Sequence, residues 1–247
     1  MNIKNYLDST YLITAEQNHI SEKENTVLVQ RFVQEAIDLK FKLVMIRPDK
    51  VVLAKKLIVA QQSKVLVGTV IGFPEGTSTI EEKLLEAQLA IKNGADELDF
   101  VVNFEAFKNG EINLVKTEVF KCTTLALKSN KTIKWIIEIA ALNGAQIIQL
   151  TSLIKNVVAA NCKEKDFENV FVKSSTGFYK TRDGLPNGAT FPAIIAMLEN
   201  AFPLPIKASG GIKTKEEALE MLKLGVKRIG TSSAKAISEG METSAGY

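Results

Sequence analysis

Eight short β-rich runs alternate with eight helix-period runs along 247 residues, and no linker-like shift in composition interrupts them; together these predict a single-domain (β/α)8 barrel, a TIM barrel. A third observation agrees. On the central strands polar and apolar residues separate by parity, as they do when one face lines a lumen and the other packs on helices. A doubly wound open sheet is the alternative that the same alternation allows.

The strands are expected at residues 6–8, 42–46, 65–71, 97–103, 132–139, 170–176, 204–208 and 228–230, the first having the weakest pattern. Helical periodicity covers 24–39, 50–61, 80–93, 112–128, 146–160, 191–200 and 215–224, with a short helix from Ser233. Residues 1–247 read as one domain, ending in a short tail from about residue 234 that could move over the site. Thr214 followed by Glu217 has the form of a capping box. Gly94 and Gly225 sit where a left-handed residue stops a helix. The stretch 72–79, GFPEGTST, has the Gly and Pro content of a shaped loop.

Parity places Asp99, Val101 and Asn103 on one face of the fourth strand, and Lys134, Ile136 and Glu138 on one face of the fifth. The sixth contributes Phe171, Lys173 and Ser175, and the seventh Pro205, Lys207 and Ser209. Leu98, Phe100, Val102, Trp135, Ile137, Val172 and Ile206 take the opposite parity and are expected against the helices. Four adjacent strands therefore aim Asp99, Glu138, Lys173 and Lys207 at one region of the lumen.

Composition removes several classes of function. Lysine plus arginine (31) against aspartate plus glutamate (28) gives a net charge of +3 without a basic run, so nucleic acid is not an expected partner. No apolar stretch approaches the roughly 20 residues that span a bilayer, and the opening MNIKNYLDSTYL lacks a signal-peptide apolar region. The expectation is a cytoplasmic enzyme with no membrane partner. Cys122 and Cys162 have no metal-ligand spacing and read as reduced structural thiols. The single histidine, His19, rules out histidine-based zinc sites and Ser-His-Asp triads. Lysines and carboxylates are left to do any acid–base work.

Two lysines occupy nearly matching frames at consecutive strand ends: Lys173 in VFVKSSTG, residues 170–177, and Lys207 in LPIKASGG, residues 204–211. At its ordinary pKa a lysine amine is only ~0.04% free base at pH 7. A second cation a few Å away, or desolvation, lowers that pKa and frees the amine to condense with a carbonyl. The protonated imine then draws electrons from a C–C bond two atoms away, while a carboxylate such as Asp99 handles the released proton. Gly210 and Gly211 with Lys213, and Gly230 with Ser232 and Ser233, follow the last two strands, where barrel enzymes commonly hold a phosphate. The same Asp99, Glu138, Lys134, Lys173 and Lys207 could instead form only a buried ion-pair network.

At these residues the sequence resembles 2-deoxyribose-5-phosphate aldolases, class I (Schiff-base) aldolases of (β/α)8 form. The likeness runs from LDST at 7–10, through GFPEG at 72–76, GADELDFVVN at 94–103 and IIE at 136–138, to FVKSSTG, KASGG and RIGTSS at 228–233. It implies reversible cleavage of 2-deoxy-D-ribose 5-phosphate to D-glyceraldehyde 3-phosphate and acetaldehyde, with no metal or organic cofactor and a homodimeric assembly. By its match Lys173 is the Schiff-base lysine, Lys207 lowers its pKa, and Asp99 moves protons through water. Gly177, Gly210, Gly211, Gly230, Ser232 and Ser233 surround the phosphate, with Lys213 beside them, and Asp8 and Thr10 lie near the substrate. In some members a C-terminal tyrosine relays a proton, and this chain ends in Tyr247.

The chain departs from that pattern at several places. Phe178 stands where some members have lysine, before a loop at 179–188 in which Lys180 or Arg182 could compensate. Lys213 replaces an arginine, Met45 a frequent cysteine and Ser9 a frequent histidine. Three other readings remain open at this stage: another lysine-dependent aldolase of phosphorylated sugars, a cofactor-free sugar-phosphate isomerase, and a non-catalytic barrel that binds phosphorylated metabolites.

Overall fold

The computed structural model describes residues 2–182 and 184–241; Tyr247 and the other last residues of the expected tail, from 242 on, lie outside the described residues. The strands are β1 Leu7–Tyr11, β2 Leu43–Ile46, β3 Leu66–Ile71, β4 Glu97–Val101, β5 Thr132–Ile136, β6 Val170–Lys173, β7 Ile206–Ser209 and β8 Arg228–Thr231. They pair in parallel in chain order, and β1 closes on β8, so the sheet is a barrel with no edge. The open-sheet alternative is thereby removed. Around it run α1 Glu22–Leu39, α2 Val51–Ala60, α3 Ile80–Lys92, α4 Phe104–Lys108, α5 Ile112–Lys128, α6 Gly144–Asn161, α7 Phe191–Ala201, α8 Lys215–Leu224 and α9 Ala234–Glu239.

Local chemistry sets most helix starts. The Thr214–Glu217 capping box opens α8 as the sequence indicated, and equivalent boxes at Ser21–Glu24, Thr79–Glu82 and Asn143–Gln146 open α1, α3 and α6. Gly225 ends α8 at φ 114°, and Gly94 follows α3 at φ 101°. Helix α5 buries Val115, Glu118, Val119, Cys122 and Ala126, a 3–4 spacing that turns one stripe to the barrel. Helix α4 was not expected: at five residues it is too short for periodicity to mark, and it forms because the Asn103 side chain accepts the Ala106 N–H at 2.9 Å.

Strands four, five and six stop short of their expected ends. Ile137 and Ile139 still donate to the carbonyls of Lys173 and Ser174, but Glu138 between them takes a left-handed backbone at φ 54°, which breaks the two-residue alternation. Strand β1 is longer than the weak 6–8 pattern: Asp8 and Thr10 take the lumen face, where polar partners are available, and Ser9 takes the other.

Two packed regions result. The outer core joins the helices to the outward strand residues, including Leu98, Phe100, Val102, Trp135, Ile137, Val172 and Ile206, all of them buried. Trp135 donates its indole N–H to Thr123 of α5 at 3.0 Å, which confirms the outward parity. The lumen is divided. Leu12, Leu43, Met45 and Val70 fill one side, near β1–β3, and charged residues of β4–β8 together with Asp8 of β1 fill the other.

One buried ion pair outside the lumen secures the mouth of the barrel. Lys83, fully buried on α3, pairs with Glu118 and donates to the carbonyls of Gly76 at 2.6 Å and Val101 at 2.8 Å. Glu118 in turn accepts the Asn103 N–H at 3.0 Å. The Gly72–Gly76 loop, the end of β4 and α5 are tied to one ammonium. Replacing Lys83 by Met strands a buried carboxylate and two backbone acceptors, so a loss of about 3–5 kcal/mol is expected in urea unfolding. The double variant Lys83→Met/Glu118→Leu should recover part of it; equal stability of wild type and the single variant would contradict this role.

Candidate active site

Register brings the lumen charges together. Lys173 pairs directly with Lys207 across β6 and β7, and Asp99 pairs with Lys134 across β4 and β5. Asp99 Oδ2 accepts from both Lys173 and Lys207 at 2.9 Å, so the two amines lie within twice that distance of each other. Asp99 Oδ1 accepts from Lys134 at 2.7 Å. Three ammonium groups thus converge on one carboxylate that has no exposure to solvent.

A second layer of charge backs the first. Lys207 also meets Asp8 at 2.6 Å, and Lys134 meets Glu97 at 2.5 Å, close ion pairs without hydrogen-bond alignment. Arg228 on β8 joins these carboxylates, donating from Nε to Asp8 at 2.8 Å and from Nη1 to Glu97 at 3.0 Å. Asp8, expected beside the substrate, is fully buried in this layer and is no part of the cavity wall. Glu97 and Arg228 were not singled out in the sequence, although Glu97 shares the parity of Asp99 and Arg228 opens the last strand.

Glu138 does not join the lysines either. Its left-handed backbone carries the carboxylate to Thr176, whose N–H it accepts at 3.1 Å and whose hydroxyl it also holds. Burial pushes the Glu138 carboxyl above its ordinary range, partly offset by those two hydrogen bonds. The Thr176 hydroxyl also accepts the Phe178 N–H at 3.0 Å, so Glu138 shapes the SSTG turn.

The electrostatics follow from crowding. Burial alone would raise the Asp99 carboxyl, yet Lys134, Lys173 and Lys207 hold it well below the carboxylate range. Asp8 likewise resists its burial and is held at about 2 by Arg228, Lys207 and Lys134. Lys134, which burial would lower, is raised by Asp99, Glu97 and Asp8. Lys173 is pulled down to about 8, first by burial, with Lys207 and Lys134 adding to it and Asp99 opposing. Desolvation, more than the second lysine, is therefore the main cause of the free amine.

A cavity of about 360 Å³ opens above this cluster at the C-terminal ends of the strands. Lys173 forms part of its wall, whereas Asp99 and Lys207 lie behind it. Thr10, Gly177, Gly210, Gly211, Lys213, Gly230 and Ser232, the residues expected around a substrate and its phosphate, also line it. Ser233 sits just behind the wall, its N–H donated to Thr231 Oγ1 at 3.0 Å. Gly230 has a second task. A Cβ there would stand 3.0 Å from Lys207 Cε, so its absence leaves room for the lysine.

Ser174 Oγ donates to the Ser209 carbonyl at 3.0 Å and Ser209 Oγ to the Ser175 carbonyl at 2.6 Å, which stitches the two lysine-bearing strand ends together. The loop after β6 crosses to β7, where Ala189 N–H bonds the carbonyls of Ser209 and Gly210. That brings Asn187 into the wall, a residue the sequence pattern gave no reason to select. Lys180 and Arg182 do not reach the cavity; among the described residues its cationic lining is Lys173 and Lys213. Phe178 forms the apolar side, edge-on to Phe73 at 5.1 Å, with the Arg47 guanidinium over both rings.

A closed (β/α)8 barrel with an amine of low proton affinity at its open end is an enzyme scaffold rather than a packing accident. The chain belongs to the DeoC/LacD family of aldolases, whose family model, DeoC/LacD family aldolase, matches residues 15–243. It is 36% identical over 241 residues to the deoxyribose-phosphate aldolase of Thermococcus gammatolerans, spanning 97% of this chain and 96% of that protein. Among solved structures it is similar to "QR15, an Aldolase", with a TM-score of 0.80 and 31% identity over 97% of this chain and 95% of that one. It is also similar to the deoxyribose phosphate aldolase of Aeropyrum pernix, described as tetrameric, with a TM-score of 0.74 and 29% identity over 96% of this chain and 89% of that one.

Removing the shared carboxylate should expose its task. Asp99→Asn leaves Lys134, Lys173 and Lys207 facing one another in a buried space, and a loss of about 3–5 kcal/mol is expected at pH 7. The three buried ammonium groups then release protons more readily than in the unfolded chain. The unfolded state binds more protons, so the stability of the variant should climb with pH above neutrality more steeply than that of the wild type. Chemical denaturation from pH 7 to 10 reads this, and parallel stability curves would contradict it.

Proposed function

We propose that the protein is a class I aldolase that reversibly cleaves 2-deoxy-D-ribose 5-phosphate to D-glyceraldehyde 3-phosphate and acetaldehyde. One observation carries the reading: of the buried lysines on Asp99, Lys173 alone reaches the cavity, and its amine is pulled down to about 8. That shift raises the free-amine fraction at pH 7 by roughly 300-fold over an ordinary lysine. Names of the full-length relatives supply the substrate, and the glycine-rich wall with Lys213 suits its phosphate.

In the proposed sequence Lys173 Nζ attacks C1 of the open-chain aldehyde, and loss of water gives a protonated imine. The 3-hydroxyl gives up its proton, the C2–C3 bond breaks, and its electron pair moves into the imine to form an enamine. Glyceraldehyde 3-phosphate leaves from C3. Protonation of C2 and hydrolysis of the imine then release acetaldehyde and restore the amine. Asp99 does not touch the cavity, so its share of the proton traffic runs through water or along Lys173. Its depressed proton affinity makes it a carboxylate that passes protons on rather than keeping them. Lys207 contributes by position, holding Asp99 and Asp8 and adding positive charge beside the nucleophile.

The phosphate is assigned to the turns after β6, β7 and β8. Gly177, Gly210 and Gly211 take positive φ there, and Gly230 and Ser232 complete the wall. Lys213 supplies a point charge rather than the fork of an arginine. Leu12, Ile13 and Phe178, the last packed on Phe73, give the cavity an apolar side, which suits the carbon chain more than a second anion.

Borohydride reduction in the presence of acetaldehyde or 2-deoxyribose 5-phosphate, followed by peptide mass spectrometry, tests the reading. A reduced adduct is expected on Lys173 and none in Lys173→Leu, with acetaldehyde release abolished in that variant. Lys207→Leu should lower turnover at pH 7 by about tenfold or more and lose less at higher pH, since one unit of pKa is tenfold in free amine. An adduct on Lys207 would reverse the assignment. Unchanged protein mass together with substrate turnover would favour an isomerase that uses a carboxylate base.

A further inference from the structure

The proposed reaction uses Lys173, Lys207 and Asp99 and leaves Asp8, Glu97, Lys134 and Arg228 without a task. All four are at least nine-tenths buried, and none lines the cavity. The fold does not need them for filling, because the other half of the same lumen is packed with Leu12, Leu43, Met45 and Val70. Replacing buried ion clusters by apolar residues is often neutral or stabilising. A role besides stability is the better account of this layer.

The cluster holds three carboxylates, Asp8, Glu97 and Asp99, against four cations, Lys134, Lys173, Lys207 and Arg228. Fully ionised, it carries one surplus positive charge in a space that meets the cavity only at Lys173. Release of one proton removes the surplus, and the question is which cation releases it. Arg228 cannot at ordinary pH. Lys134 is held by Glu97 at 2.5 Å and Asp99 at 2.7 Å, and Lys207 by Asp8 at 2.6 Å and Asp99 at 2.9 Å. Among the described residues Lys173 has the single ion-pair partner Asp99, through an oxygen it shares with Lys207. Glu138, the remaining carboxyl near Lys173, is turned to Thr176.

We propose that Arg228 and Glu97 are positioning residues that set the proton affinity of Lys173 from the layer behind it, Arg228 by occupying Asp8 and Glu97 by occupying Lys134. The inference rests on Lys173 being the reactive amine. Its signs follow from the charge count. Glu97→Gln raises the surplus to two, so Lys173 sheds its proton at lower pH. Arg228→Leu cancels the surplus, so Lys173 keeps its proton to higher pH. Arg228→Lys retains the charge and leaves the titration near that of the wild type. For unit charges ~10 Å apart at an effective dielectric of about 20, each displacement is about one pH unit.

Competitive acetylation of the full chain with trace acetic anhydride, scored at Lys173 by mass spectrometry across pH 6 to 11, reads this titration without substrate or turnover. The expected result is a midpoint lowered in Glu97→Gln, raised in Arg228→Leu and restored in Arg228→Lys. If Arg228→Leu fails to fold, the downward move in Glu97→Gln and the unmoved Arg228→Lys still decide the matter. A purely structural role moves no midpoint, or moves both in the same direction, and either result overturns the inference. Midpoints that move as expected in a protein that forms no borohydride adduct support the tuning while removing the aldolase assignment, so the two failures are distinct.

Discussion

The structure depends on one carboxylate. Asp99 sits in a closed barrel where an unpaired charge costs several kcal/mol, and it meets three ammonium groups within 2.9 Å. Because β4, β5, β6 and β7 each send one charged side chain inward to this point, none of these groups could be held there alone. The arrangement keeps Asp99 ionised, draws Lys173 and Lys207 together against their repulsion, and leaves the Lys173 amine lowered to about 8. The charged half of the lumen thus sets the electrostatics at the cavity, while the apolar half gives the barrel ordinary packing.

Much of this was legible in the sequence because strands have a strict two-residue period. The parity of Asp99, Lys134, Lys173 and Lys207 survives in the structure, and the outward set from Leu98 to Ile206 is buried against helices as the alternation required. Parity holds only while the chain stays extended. It failed at Glu138, where a left-handed residue past the end of β5 redirected the carboxylate to Thr176. It also carried no depth: Asp8 and Thr10 share a face, yet one is sealed under Lys207 and the other lines the cavity. Contacts between distant elements, such as Lys83 with Glu118 or Asn187 with the cavity, have no local pattern and emerge only from packing.

The departures from the family pattern acquire physical meaning in the site. Phe178 does not leave a gap where a cation is missing; it packs on Phe73 and on the apolar lumen cluster, with Arg47 stacked over both rings. The loop beyond it is anchored to the end of β7, so its own cations stay outside. Met45 belongs to the apolar filling and Ser9 is buried on β1. These changes lie in the walls around the lysine–carboxylate cluster and contribute no group to it.

The central claim is that, inside this cluster, the mobile proton belongs to Lys173. Nuclear magnetic resonance of protein carrying ε-13C lysine observes each ammonium directly, with the Lys173 signal assigned by its loss in Lys173→Arg. The expected result is a Lys173 signal that titrates near pH 8 while Lys134 stays charged beyond the ordinary lysine range. A Lys173 signal that stays protonated to pH 10 or above, as on an exposed chain, would contradict the account.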